Sequence, residues 1–97
     1  MRFKTTKTFY LIYKDDELSW VDTLIDDIQD GLPMICYTLK EGAVLDLVER
    51  NENNDDDYNW YSDGCESNCI LLYNDSEMFL FYSLEDILKN DGFKEVI

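Results

Sequence analysis

Twelve residues from Asp55 to Glu66 set Asp55, Asp57, Asn59, Asp63 and Glu66 at positions 1, 3, 5, 9 and 12 of one window, the oxygen-donor spacing of an EF-hand calcium loop. The pattern breaks at position 6, where the sharp turn needs glycine and this chain has Trp60, and at position 8, where Ser62 replaces an aliphatic residue. The run that follows, Cys69-Ile70-Leu71-Leu72-Tyr73, has strand composition and is not an exiting helix. With 22 Asp and Glu in 97 residues, matches of this kind arise by chance. The expectation is therefore no metal and no cofactor.

Other chemistry is thinly represented. There is no His, which removes the commonest general base and every Ser-His or Cys-His nucleophile. The four glycines are scattered and form no phosphate-cradling loop. Carboxylate pairs are so numerous that they discriminate nothing. Cys65-x-x-x-Cys69 lacks the CxxC redox spacing, and a zinc tetrahedron would need Cys36 and a carboxylate besides. Reduced thiols are expected, with Cys36 a small buried hydrophobe inside Met34-Ile35-Cys36-Tyr37. The chain is expected to be a non-enzyme.

Charge carries the functional expectation. The formal net charge is −14, and the acids begin only at Asp15: positions 15–97 hold all 22 acids against four bases. Such a surface repels phosphate backbones and anionic headgroups and draws in cationic proteins. Two clusters stand out. On a helix read from Asp16 to Asp30, Asp22, Asp26, Asp27 and Asp30 fall opposite the apolar positions, with like charges at i,i+4 and at the negative end of the dipole. Their spacing of about 4 Å along a helix axis approaches the roughly 3.4 Å charge interval of a DNA strand. In the second cluster Asp55, Asp56, Asp57, Asp63 and Glu66 surround Tyr58, Trp60 and Tyr61, side chains enriched at binding hot spots. Strand alternation would set Tyr58 and Trp60 on one side and Tyr61 on the other.

These twelve residues are the expected partner-binding set. The expected partner is a basic protein, a nuclease or another nucleic-acid-binding protein; neither nucleic acid nor membrane is expected to bind directly. The function expected is an acidic inhibitor of the immunity-protein or antitoxin type. The alternatives are a phage-encoded DNA mimic or anti-CRISPR-type blocker, and an acidic adaptor or calcium module. The acids of an inhibitor are expected to form one continuous negative face. No apolar run reaches the roughly 18 residues of a membrane span, and Met1-Arg2-Phe3-Lys4 does not resemble a signal peptide, so a cytoplasmic location is expected.

The elements that must position these residues follow from pattern. Thr8 to Tyr13 and Met34 to Leu39 are β-branched and aromatic runs that predict strands. Between them Leu18, Val21, Leu24, Ile25 and Ile28 form a helical stripe, capped by Asp15 or Asp16 and ended by Gly31 and Pro33. Thr38 to Arg50 fits either a helix with a Thr38/Glu41 capping box or a turn at Glu41-Gly42 into a strand from Ala43 to Glu49. Asn51 to Gly64 is polar and predicts a long loop or irregular strand. Cys69 to Tyr73 and Met78 to Tyr82 predict a hairpin, and Ser83 caps a short helix from Leu84 to Lys89. The sum is one acidic α+β domain over residues 1–97, with an antiparallel or mixed sheet packed by one longer and one or two shorter helices.

Overall fold

The computed structural model describes residues 1–23, 34–62 and 64–97. In chain order its elements are β1 (Arg2–Thr5), β2 (Phe9–Lys14), β3 (Glu17–Val21), β4 (Met34–Leu39), β5 (Val44–Glu49), β6 (Tyr61–Ser62), β7 (Cys65–Glu66), β8 (Cys69–Tyr73), β9 (Ser76–Phe81), α1 (Leu84–Lys89) and β10 (Phe93–Val96). They form a five-stranded antiparallel sheet ordered β10-β1-β5-β8-β9, a three-stranded antiparallel sheet ordered β3-β2-β4, and the β6-β7 ribbon.

The fold is mostly β, which corrects the α+β expectation: α1 is the one helix among the described residues, and no longer helix packs on a sheet there. The expected helix from Asp16 to Asp30 is a strand over Glu17–Val21, and residues 24–30 lie outside the described residues. The cause is local. Asp15 and Asp16 adopt left-handed backbone (φ 53° and 64°), making a two-residue turn that lays β3 back on β2 with Lys14 opposite Glu17 and Tyr13 opposite Leu18. Asp tolerates this conformation as well as it caps helices. Leu18 and Trp20 then share one face at period 2, and Trp20 had no place in the helical stripe.

The remaining expectations for local structure are largely met. Thr38 to Arg50 resolves as a turn at Glu41–Gly42, where Gly42 has φ 90°, and strand β5. The turn carries the chain from one sheet to the other, because β4 pairs with β2 whereas β5 pairs with β1 and β8. Asn74 and Asp75, both left-handed, close the β8-β9 hairpin. The hydroxyl of Ser83 accepts from the Asp86 backbone N–H and starts α1. Cys36 is exposed, not buried: β4 is exposed from Met34 to Thr38, and Cys36 is the extra residue at a bulge within it.

Successive residues of β8 point to opposite faces of the five-stranded sheet and feed two cores. Leu71 joins Phe3, Leu39, Leu45, Phe79, Ile87 and Phe93 on one face; Ile70 and Leu72 join Trp60 on the other. The three-stranded sheet is fastened to the first core at its base. Phe9 stacks on Phe93 with centroids 5.3 Å apart, and Trp20 lies 4.8 Å from Phe79. Its far end, the Asp15–Asp16 turn, stands beyond that core, so the sheet is an arm.

Candidate binding surface

Arg50 follows β5 and organises the acidic loop. Its Nε donates to Asp55 Oδ1 at 2.5 Å and its Nη1 to Glu66 Oε1 at 2.7 Å. The guanidinium lies 5.8 Å from the Trp60 ring centre and 5.4 Å from that of Tyr61, a cation–π arrangement. The hydrogen bond to Asp55 is the main cause of a guanidinium pKa raised further above its already high value. Asn side chains shape the chain between: Asn51 Oδ1 accepts from the Asn53 and Asn54 backbone N–H groups, and Asn54 Nδ2 donates to Glu49 O. The first and twelfth positions of the calcium-like window thus share an internal cation. No described group of three or more acidic or cysteine side chains converges as a metal site.

The aromatics of this loop divide as alternation predicts. Trp60 is 2% exposed, packed on Ile70 and Leu72, with Tyr58 edge-on at 5.7 Å. Tyr61 is 53% exposed. Trp60 is therefore buried as a structural anchor of the second core, while Asp56, Asp57 and Tyr61 face solvent. Asp63 lies outside the described residues.

Asp22 sits just past β3. Lys7 Nζ bridges it (3.1 Å) to Asp91 (3.4 Å) along a groove of about 550 Å³ at the base of the arm, lined also by Phe9 and Trp20. The Lys7 hydrogen bond holds the Asp22 carboxyl below the ordinary carboxylate range and in turn raises the Lys7 ammonium. Asp26, Asp27 and Asp30 lie outside the described residues.

Among the described residues, Asp22 and the Asp55–Asp57 run of the expected negative face are not brought together: Asp22 pairs with Lys7 and Asp55 with Arg50. Asp22 lies beside Phe9 and Trp20, which pack on the first core, whereas Asp55–Asp57 belong to the loop whose Tyr58 and Trp60 pack in the second. Asp22 follows a strand and not the expected helix; the other three carboxylates of that cluster are outside the described residues. Cations are also segregated: Lys4 of β1 stands directly opposite Lys94 of β10, beside Gly42.

One surface was missed in the sequence. On the arm, Leu18, Tyr13 and Met34 are in register across three strands and share a face with Trp20, Leu11 and Tyr37. Leu18 is 61%, Met34 59%, and Tyr13 and Tyr37 each 40% exposed. The apolar face of the arm runs one row past the core that covers its base. The signal was the alternation Leu18-x-Trp20 behind a turn-forming Asp pair.

No protein-family model, curated protein or solved structure matches the chain. Among the described residues no helix is long and apolar enough to cross a membrane.

Proposed function

We propose that this chain is a non-enzymatic acidic inhibitor that binds the basic nucleic-acid-contacting surface of another protein, of the immunity-protein or antitoxin type. The observation that carries the reading is that the acid excess is not neutralised within the fold. Five described carboxylates, Asp22, Asp55, Glu66, Glu85 and Asp91, take up three cations, Lys7, Arg50 and Lys89. The exposed Asp56 and Asp57 have no ion pair among the described residues, and neither has the Asp15–Glu17 turn. Uncompensated charge steers a cationic partner, and exposed aromatic side chains such as Tyr61 then supply contact area to anchor it.

Separation of Asp22 from the Asp55–Asp57 run, the one beside the first core and the other in the loop of the second, favours one dedicated partner over mimicry of a phosphate ladder. A duplex mimic needs charge repeated along a continuous track; an inhibitor needs a few desolvated contacts and a field of one sign.

The test is recovery of partners from cells that encode the chain, at low salt with stepped elution. A basic protein released by salt, whose nucleic-acid cleavage or binding is blocked by stoichiometric addition of this chain, supports the reading. Retention of no basic protein, or a retained nuclease that works unimpeded in the complex, overturns it.

A further inference from the structure

We infer that the end of the arm is a docking surface for a cationic segment with apolar side chains, seated on the row Leu18, Tyr13, Met34 and flanked by Tyr37; the inference rests on the acidic-inhibitor reading only in taking the partner to be basic.

Register is the first support. Tyr13 of β2 is opposite both Leu18 of β3 and Met34 of β4, so the three side chains form one transverse row. The bulge in β4 produces this alignment. Tyr37 pairs with Leu11 and Ile35 with Ile12, so one residue is inserted at Cys36 and Met34, three residues from Tyr37, returns to the same face. Without the insertion Ile35 would stand opposite Tyr13.

Continuity is the second. The same face carries Phe9 and Leu39 at the base, where they are packed into the first core, then Trp20, Leu11 and Tyr37, then the exposed row. A solvated sheet face ordinarily turns polar once it leaves the core. This one stays apolar to its end, on strands held by a two-residue turn and by the Tyr13 hydroxyl donating to Asp16 Oδ1 at 2.9 Å. No described residue covers the row.

Charge selects the occupant. The described residues of the arm, 9–23 and 34–39, hold four acids, Asp15, Asp16 and Glu17 at its end and Asp22 at its base, and one base, Lys14. A second copy would bring its own net −14 and an identical acidic turn to the contact. A cationic segment meets opposite charge at the turn while its apolar side chains cover the row. Four side chains give less than the roughly 800 Å² per partner of a standard interface, so the row is an anchor within a larger charged contact.

The experiment uses the full chain, isotope-labelled, with two eight-residue probes at low salt, one alternating Leu and Lys and one alternating Ser and Lys. The Leu/Lys peptide is expected to bind about tenfold more tightly, with amide shifts centred on Tyr13, Leu18, Met34 and Tyr37. Leu18→Ser/Met34→Ser, at positions already largely exposed, is expected to abolish that preference and leave the Ser/Lys affinity unchanged. Equal affinity for both peptides, an unaltered preference in the double variant, or shifts confined to residues 51–61 overturns the docking surface while leaving the acidic-inhibitor reading in place. Concentration-dependent shifts of the row without peptide assign it to a second copy and overturn it as well. Failure of both cationic peptides to bind counts against the parent reading and the arm together.

Discussion

Gly92 lies under the edge of the Phe9 ring: a Cβ added to Gly92 would stand 2.6 Å from Phe9 Cζ and 3.0 Å from Asn90 Oδ1. Phe9 is the first residue of the arm's central strand, stacked on Phe93 and edge-to-face with Phe79. The glycine between α1 and β10 is therefore what lets the arm seat on the five-stranded sheet. Gly92→Ala has to displace an aromatic ring that is itself packed, and the expected cost is about 1–3 kcal/mol. Urea unfolding measures it, and the largest amide shifts are expected at Phe9, Trp20 and Phe93.

The arm shows where sequence reasoning succeeds and where it stops. The hairpin, expected with its second strand at Met78 to Tyr82 and found at Ser76–Phe81, and helix Leu84–Lys89 were legible because the turn and cap residues, Asn74-Asp75 and Ser83, act within a few positions of themselves. Asp15-Asp16 is equally local but ambiguous, since Asp both caps helices and accepts left-handed backbone. Leu18 and Val21 fit a helical stripe, Leu18 and Trp20 a strand, and the pairing with Tyr13 and Leu11 decides between them. That decision is tertiary. The division of Tyr58, Trp60 and Tyr61 was legible from alternation. The Arg50 clamp was not, because its partners lie 5 and 16 residues away and depend on how the loop closes.

Trp60 and Tyr61 are neighbours with opposite roles. Trp60 fills the second core and Tyr61 stands in solvent. Trp60→Ala is expected to destabilise by about 3–5 kcal/mol, and Tyr61→Ala by no more than about 1 kcal/mol, the worth of its exposed cation–π contact with Arg50. Chemical denaturation of the two variants side by side checks the contrast. A small effect at Trp60 would mean that the loop does not form the cover over Ile70 and Leu72.

The three thiols are expected to react unequally. Cys36 and Cys65 are exposed and Cys69 is buried, and burial raises the Cys69 thiol above its ordinary value. A disulfide reagent near neutral pH should modify two thiols quickly and the third only on unfolding. Because the folded value is the higher one, this thiol's contribution to stability is fully present below the ordinary thiol pKa. It is lost as pH rises through the folded value. Thermal unfolding from pH 8 to 10 should decline more in the native chain than in Cys69→Ala. Equal decline would remove Cys69 as the cause.

The ion pair at the base of the arm has the opposite sign at its acidic end. Lys7 holds Asp22 below the ordinary carboxylate range, so this carboxylate's contribution is present above that range and lost as pH falls through its depressed folded value. For Lys7, raised by the same hydrogen bond, the contribution is present below the ordinary lysine value and lost as pH rises through its folded one. With side chains 33% and 48% exposed the pair is open to screening. Carbon-detected titration should show the Asp22 carboxyl return to the ordinary range in Lys7→Met, and move partway there in high salt. An unchanged midpoint in both would show that Lys7 does not hold Asp22.

Arg50 argues against a calcium response and supplies its own control. For a divalent ion to use Asp55 and Glu66 together it must displace a guanidinium bonded to both and resting on two aromatic rings. Calorimetry with calcium at sub-millimolar concentration is expected to give no heat with the native chain. Arg50→Gln removes the cation, leaves Asp55 and Glu66 without their shared partner, and should speed hydrogen exchange across residues 51–60 while the β5-β8-β9 amides stay protected. If exchange in that loop does not change, then Trp60 and the Asn51/Asn54 bonds hold it without Arg50. If calcium instead releases heat with the native chain, the guanidinium is not the resident cation of this loop, and the acids of residues 55–66 belong to a metal site.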